Sequence, residues 1–424
     1  MDDQLDLGSR VLAAAFAEDL RNDWIPDALG ADEVRRAVAS GALAAAVATG
    51  RTGLADAPPP AVLRVPLAGR SEDVPLLPPA QRAALLILTE HALRRHRPLP
   101  GVFSYRSAGW RFSAGYRARQ SCLLELSARQ DLPYVLDLDV AAFARTLPLS
   151  TLLAAPWMTN GLGTALQDLH RATGRCLPHG QRWNGRVATA VLAPVDTVVE
   201  RLAPKRWARW GDGWHIFVSG PAEAVSVREA VVVALSGLGL RLAAGKSALR
   251  GSAEVTCGSA RDVAGPPLAV WRRAVAVDDP RGYRYALARA APSDGICAWL
   301  PEAVRSRPTL LPRAVMYLDR AMGTPTGNAA AERLLGAVSG DDPFTVARLL
   351  VLAGRHRGLA ARVPDRLLIT AAGSGVAALE ELSARAAGLS GRTALLPEPS
   401  PRLRGWLAAG GRHTDRPPWV DTLL

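Results

Sequence analysis

Lysine is almost missing from this chain. Of its 51 lysine and arginine residues only Lys205 and Lys246 are lysine, and the rest are arginine. Such a bias, set in an alanine-rich chain, is of the kind that genome composition produces, so it discounts charge as evidence. The net charge of +12 nonetheless favours a polyanionic partner such as nucleic acid. Cysteine is scarce as well. Cys122, Cys176, Cys257 and Cys297 are scattered, with neither a zinc-type spacing nor a disulfide framework. No apolar run approaches the roughly 18 uncharged residues of a membrane-spanning helix. The opening MDDQLDLGSR is acidic, unlike the basic start of a secretory signal. A soluble, cytoplasmic protein is expected. No repeat of fixed period stands out.

What is present is enough chain, 424 residues at 49% hydrophobic, for two or three domains with full cores. The rest is organised around RWGDGWHIFV, Arg209 to Val218. Trp214, Ile216 and Val218 alternate with His215 and Phe217, the period of a half-buried strand. Gly211-Asp212-Gly213 reads as the turn of a hairpin, with glycines that allow positive φ and one carboxylate held at the tip.

Three other stretches frame this hairpin. YVLDLDVAAFARTL, Tyr134 to Leu147, is an apolar strand carrying Asp137 and Asp139. CLPHGQRWNGRVATAVLAPVD, Cys176 to Asp196, is a Pro-Gly loop running into a helix. GLGLRLAAGKSAL, Gly237 to Leu249, is a glycine turn, a short strand and Lys246. In this order the four resemble motifs A to D in the palm of the bacterial reverse transcriptase family. Asp139 matches the carboxylate of motif A. Leu177-Pro178-x-Gly180 and Leu192-Ala193-Pro194-Val195-Asp196 match motif B. Trp210-Gly211-Asp212-Gly213 falls on motif C, and Lys246 on motif D.

The resemblance implies an RNA-directed DNA polymerase. Its expected fold is α+β: reverse transcriptase-like fingers and a ferredoxin-like βαββαβ palm, followed by an all-α C-terminal region. Nucleotide addition uses two Mg²⁺ (or Mn²⁺) ions about 3.5 to 4 Å apart, held by hard carboxylate oxygens. Asp139 and Asp212 are the implied ligands, with Lys246 near the triphosphate. Asp137, two residues before Asp139 on a strand, shares its face and could lend a third carboxylate. Phe143, Gly180 and Asn184 are the implied nucleotide-binding positions. The sequence departs from the pattern where Gly213 replaces the second motif C carboxylate, Asn184 the motif B serine, and Ala144 the bulky residue that screens the sugar.

Around this core, helical patterns fill residues 1 to about 55, with Asp32 as an N-cap. AVLRVPLAGRSEDVPLL, Ala61 to Leu77, alternates as a hairpin where the family has its fingers. The triphosphate clamp would fall near Leu67 and Asp73 or Val74, with Arg64 or Arg70 as other sources of charge. GVFSYRSAGWRFSAGYRARQ interleaves aromatics with Arg106, Arg111, Arg117 and Arg119, a pattern suited to phosphate contact and base stacking. Helix-period segments separated by Gly, Pro and Asp run from Tyr283 to Ala387. The expected regions are 1–100 (N-terminal helices and fingers), 101–258 (palm) and 259–424 (helical thumb or repeat-like domain). The expected partners are an RNA template, a DNA or protein primer and dNTPs, without a membrane. Family analogy suggests antiviral, phage-defence work. Two further readings stand beside the polymerase: a palm that binds nucleic acid without catalysis, and a scaffold whose helical half binds a protein.

Overall fold

A computed structural model of the chain describes residues 15–16, 41–42, 61–67, 70–77, 79–107, 109–178, 181–256, 265–338 and 342–398. The helices expected in the first 55 residues, with Asp32, lie almost wholly outside these. So do Gly180 and Cys257. The chain is mixed α+β, with two small antiparallel sheets and a helical C-terminal half. It divides into two compact units. One is built on Leu77–Asp262, the other on Ala61–Leu76 together with Val263–Leu424.

In the first unit α1 (Pro79–Ala92) and α2 (Phe112–Ser127) precede the first strand of its sheet, β3 (Tyr134–Asp139). Short helices α3 (Phe143–Thr146) and α4 (Leu149–Leu153) precede α5 (Asn160–Thr173), α6 (Arg182–Val191) and α7 (Ala193–Leu202). The hairpin β4 (Trp207–Trp210) and β5 (Gly213–Val218) follows, then α8 (Pro221–Gly237), β6 (Ala248–Gly251) and α9 (Ser252–Thr256). The strands lie in the order β4-β5-β3-β6, all antiparallel to their neighbours. Alternation splits β3 and β5 between two faces. Leu136, Leu138, Trp214 and Ile216 share one, on the side where the buried stripe Ala224, Val227, Val231 and Leu235 of α8 packs. Val135 and Phe217 point to the other, where Leu123 and Leu126 of α2 and Val255 of α9 close a second core. α2 was not foreseen as a helix, because its arginines and rings mask the Leu123–Leu126 stripe.

The strand expected just before Lys246 is interrupted. Arg241–Ala243 pairs with Asp139–Ala141 through Ala141 N–H to Arg241 O and Ala243 N–H to Asp139 O, both 2.8 Å. A 3₁₀ turn at Ala244–Lys246 then bulges out before β6 resumes against Tyr134–Asp137. The bulge swings Lys246 back to Asp139.

The second unit holds the hairpin β1 (Ala61–Leu67) and β2 (Arg70–Leu76), in register from Ala61↔Leu76 to Leu67↔Arg70. Its helices are α10 (Pro267–Val277), α11 (Pro280–Arg289), α12 (Asp294–Ser306), α13 (Leu311–Ala321) and α14 (Pro325–Gly336). α15 (Pro343–Ala353), α16 (Arg357–Ala360), α17 (Asp365–Ala372) and α18 (Ala377–Ser390) follow among the described residues. Leu63, Val65 and Val74 of the hairpin belong to the same core as Leu300, Tyr317, Phe344 and Leu350. The hairpin expected with the N-terminal fingers is thus part of the helical unit. Arg64 and Asp73 face one another across it, and no clamp geometry follows from them.

Candidate active site

A two-residue turn, Gly211-Asp212, joins Trp210 to Gly213 and sets the register of β4 on β5. Gly211 takes φ +63°, the left-handed conformation that favours glycine. Gly213 has no positive φ; it opens β5 in extended backbone. Pairing then puts Trp210, Gly213 and Asp139 in one row across three strands. A Cβ added at Gly213 would meet Asp139 Oδ2 at 3.6 Å, an ordinary contact. The Asp139 carboxylate therefore faces the tip that carries Asp212, whose carbonyl accepts from Val140 N–H at 3.2 Å. Lys246 Nζ donates to Asp139 Oδ1 at 3.0 Å.

The expected ligands Asp139 and Asp212 are thus brought to one end of the sheet with Lys246. An oxygen turned toward a tip that bears a second carboxylate is a donor set of the hard, anionic type that magnesium takes. Among the described residues, no three carboxylate, imidazole or thiolate groups converge as a metal cluster.

Asp137 shares the face of Asp139 but does other work. Its Oδ2 accepts from Arg250 and its Oδ1 from His215 Nδ1. Arg119 Nη2 donates to the other ring nitrogen, Nε2, at 2.5 Å. These partners fix the neutral ring with its proton on Nδ1. The result is a half-buried chain, Arg119–His215–Asp137–Arg250, lying directly beneath the Asp139 row. His215 and Arg250 carry no sequence signal of this role; the strand register alone joins them.

Burial pushes His215 down to about 4, and the Arg119 guanidinium acts in the same direction. The unfolded chain takes up the imidazole proton near about pH 6.5, while the folded chain resists until about 4. Stability is therefore expected to fall as pH drops through that window. His96, lowered to about 4 chiefly by burial, adds to the same loss. His215→Gln keeps a donor for Asp137 and should flatten part of this acid slope. Urea melts at pH 7, 5.5 and 4 read it, and an unchanged slope would remove His215 from the account.

The remaining expected residues are placed less favourably. Asn184 is buried and gives its amide to Pro178 O, fastening the Pro-Gly loop to α6. Phe143 is buried at the start of α3. Arg106 donates to Pro100 O at 3.3 Å, and its own carbonyl receives Arg186 at 2.8 Å. Arg119 belongs to the His215 chain. Arg111 and Arg117 alone of the four are exposed without an ion pair among the described residues.

Sequence reasoning missed the anchor of the hairpin. Arg209 and Asp196 are 0% and 2% exposed, joined at 2.8 Å through both Arg209 Nε and Nη2. Trp214 Nε1 donates to the same carboxylate at 2.9 Å, and Arg209 reaches Gly211 O in the turn at 2.6 Å. Burial raises the Asp196 carboxyl above the ordinary range, and the Arg209 guanidinium pulls it the other way. The last residue of the Leu-Ala-Pro-Val-Asp segment thereby ties α7 to the tip. No protein-family model matches the chain, and a search of curated proteins finds no match.

Proposed function

We propose that the chain is a reverse transcriptase-type polymerase, extending a DNA or protein primer with dNTPs on an RNA template. The observation that carries this reading is the row Trp210–Gly213–Asp139, which sets a strand-end carboxylate against the Asp212 tip beside Lys246. The β-α-β-β-α-β succession, with strand order β4-β5-β3-β6, supports a ferredoxin-like palm. Magnesium or manganese, when bound, would activate the primer hydroxyl and neutralise the triphosphate. Asp139 and Asp212 would hold it. Lys246, exposed and tethered among the described residues only to Asp139, can leave that carboxylate to pair with triphosphate oxygens or supply a proton to the leaving group. The Arg119–His215–Asp137–Arg250 chain stiffens the strand beneath. Incorporation of labelled dNTPs by purified protein, with Mg²⁺ or Mn²⁺, tests the proposal.

A second reading, a palm that binds nucleic acid without catalysis, is favoured by one observation. Both oxygens of Asp137 are taken, so it cannot make good the carboxylate missing at Gly213. Oligonucleotide binding without incorporation under either metal would select it. A part in phage defence, or a protein partner for the helical half, rests on resemblance and composition.

Both readings require phosphate contacts. Arg111→Ala with Arg117→Ala is expected to weaken nucleic-acid binding and to reduce the slope of log K against log salt by about one unit per lost contact. Titrations between low and physiological salt measure it. An unchanged slope would assign both arginines to solvent.

A further inference from the structure

Three aromatic rings beside the candidate carboxylates have no part in the chemistry above. Phe112 is 53% exposed and Tyr116 39% exposed, unusual for rings one turn apart on a helix that covers a sheet. They are parallel within 5°, with centroids 6.0 Å apart. Both meet Trp210 edge-on, at 5.2 and 5.7 Å. Buried Trp110 backs Trp210 at 5.7 Å, so the group is supported from behind. The same face of α2 tracks the sheet: Leu123 over Val135 and Phe217, Arg119 over His215, then Tyr116 and Phe112 over Trp210. Trp210 shares its row with Gly213 and Asp139. Strands spaced about 4.8 Å apart put Trp210 roughly 10 Å from Asp139, two strands along.

We infer that Phe112, Tyr116 and Trp210 form a stacking platform for a nucleobase. The exposed rings of Phe112 and Tyr116, pre-ordered against half-buried Trp210 and neighbouring the exposed Arg111 and Arg117 in sequence, match a flat base joined to a phosphate, since each part of that ligand meets its complement. An apolar peptide would leave the two guanidinium groups without counter-charge. The inference rests on the nucleic-acid reading of the site and not on catalysis. The base could be an unpaired one in a single strand or that of a free nucleoside triphosphate.

The test uses the full chain in EDTA, so that binding is separated from chemistry. Four probes are titrated: a short DNA single strand, the same strand with abasic residues, dATP, and inorganic triphosphate. The wild type should prefer the base-bearing strand to the abasic one by on the order of 10-fold. Phe112→Ala with Tyr116→Ala should erase that preference and leave the abasic strand unchanged. Phe112→Tyr with Tyr116→Phe, which keeps both rings, should retain it. If the free nucleotide is the ligand, the loss appears with dATP and not with triphosphate. Circular dichroism checks folding, which two exposed side chains should not disturb. The inference is overturned if the double alanine variant binds the strand and dATP as the wild type does. It is equally overturned if base-bearing and abasic strands weaken together, or if the wild type binds neither strand nor nucleotide. Ring-dependent binding by a chain that incorporates no dNTP would keep the platform and defeat the polymerase.

Discussion

Asp139→Asn is expected to abolish labelled-dNTP incorporation, by on the order of 100-fold or more, while the melting temperature barely moves. A ligand carboxylate supplies several kcal/mol to charge stabilisation in such a site, and each factor of ten in rate is about 1.4 kcal/mol. The fold depends little on it. Lys246 and Asp139 are 69% and 25% exposed, and an ion pair so wetted contributes about 0 to 1 kcal/mol. Asp212→Asn should behave alike. Full activity in either variant would remove that residue from the site. Loss of activity with a matching loss of stability would point to a structural role instead.

Arg209→Ala should have the opposite signature, a large loss of stability from a fully buried side chain. It would leave the Asp196 carboxylate buried with, among the described residues, only the Trp214 N–H as a donor, and would release the Gly211 carbonyl at the turn. Removing one partner of a buried pair costs about 3 to 5 kcal/mol. Asp196→Ala should cost a similar amount, and the double variant less than the two together, because no lone charge then remains inside. Urea unfolding of the four proteins measures this. A shift below about 1 kcal/mol for Arg209→Ala would show that the pair is not the anchor.

The strands and the tip were legible because alternation and turn glycines are local signals. Tyr134–Asp139 and Gly213–Val218 follow their apolar periods closely, and the hairpin turns at Gly211-Asp212. Long-range pairing was not legible. Nothing in the Trp-Ala-Arg-Trp setting of Arg209 announces its burial, and its partner Asp196 stands on a helix before the hairpin. Asp137 was expected to serve a metal, and nothing in its own strand announces His215 or Arg250. α10 was also passed over, although Pro266 and Pro267 mark the start of a helix there. The β1–β2 hairpin was read correctly as a hairpin. What covers its apolar face is a matter of the far half of the chain.

That last point bears on how the protein is made. Ala61–Leu76 leaves the ribosome with the whole of Leu77–Asp262 still to come before the helices that share its core. Domains fold broadly in the order in which they emerge. Here an early ribbon must wait, with Leu63, Val65 and Val74 uncovered, while an unrelated unit is synthesised and folds behind it. The helical unit is therefore the last to close although it owns one of the first described segments, and a chain stopped short of its C-terminal helices strands that ribbon as a sticky edge.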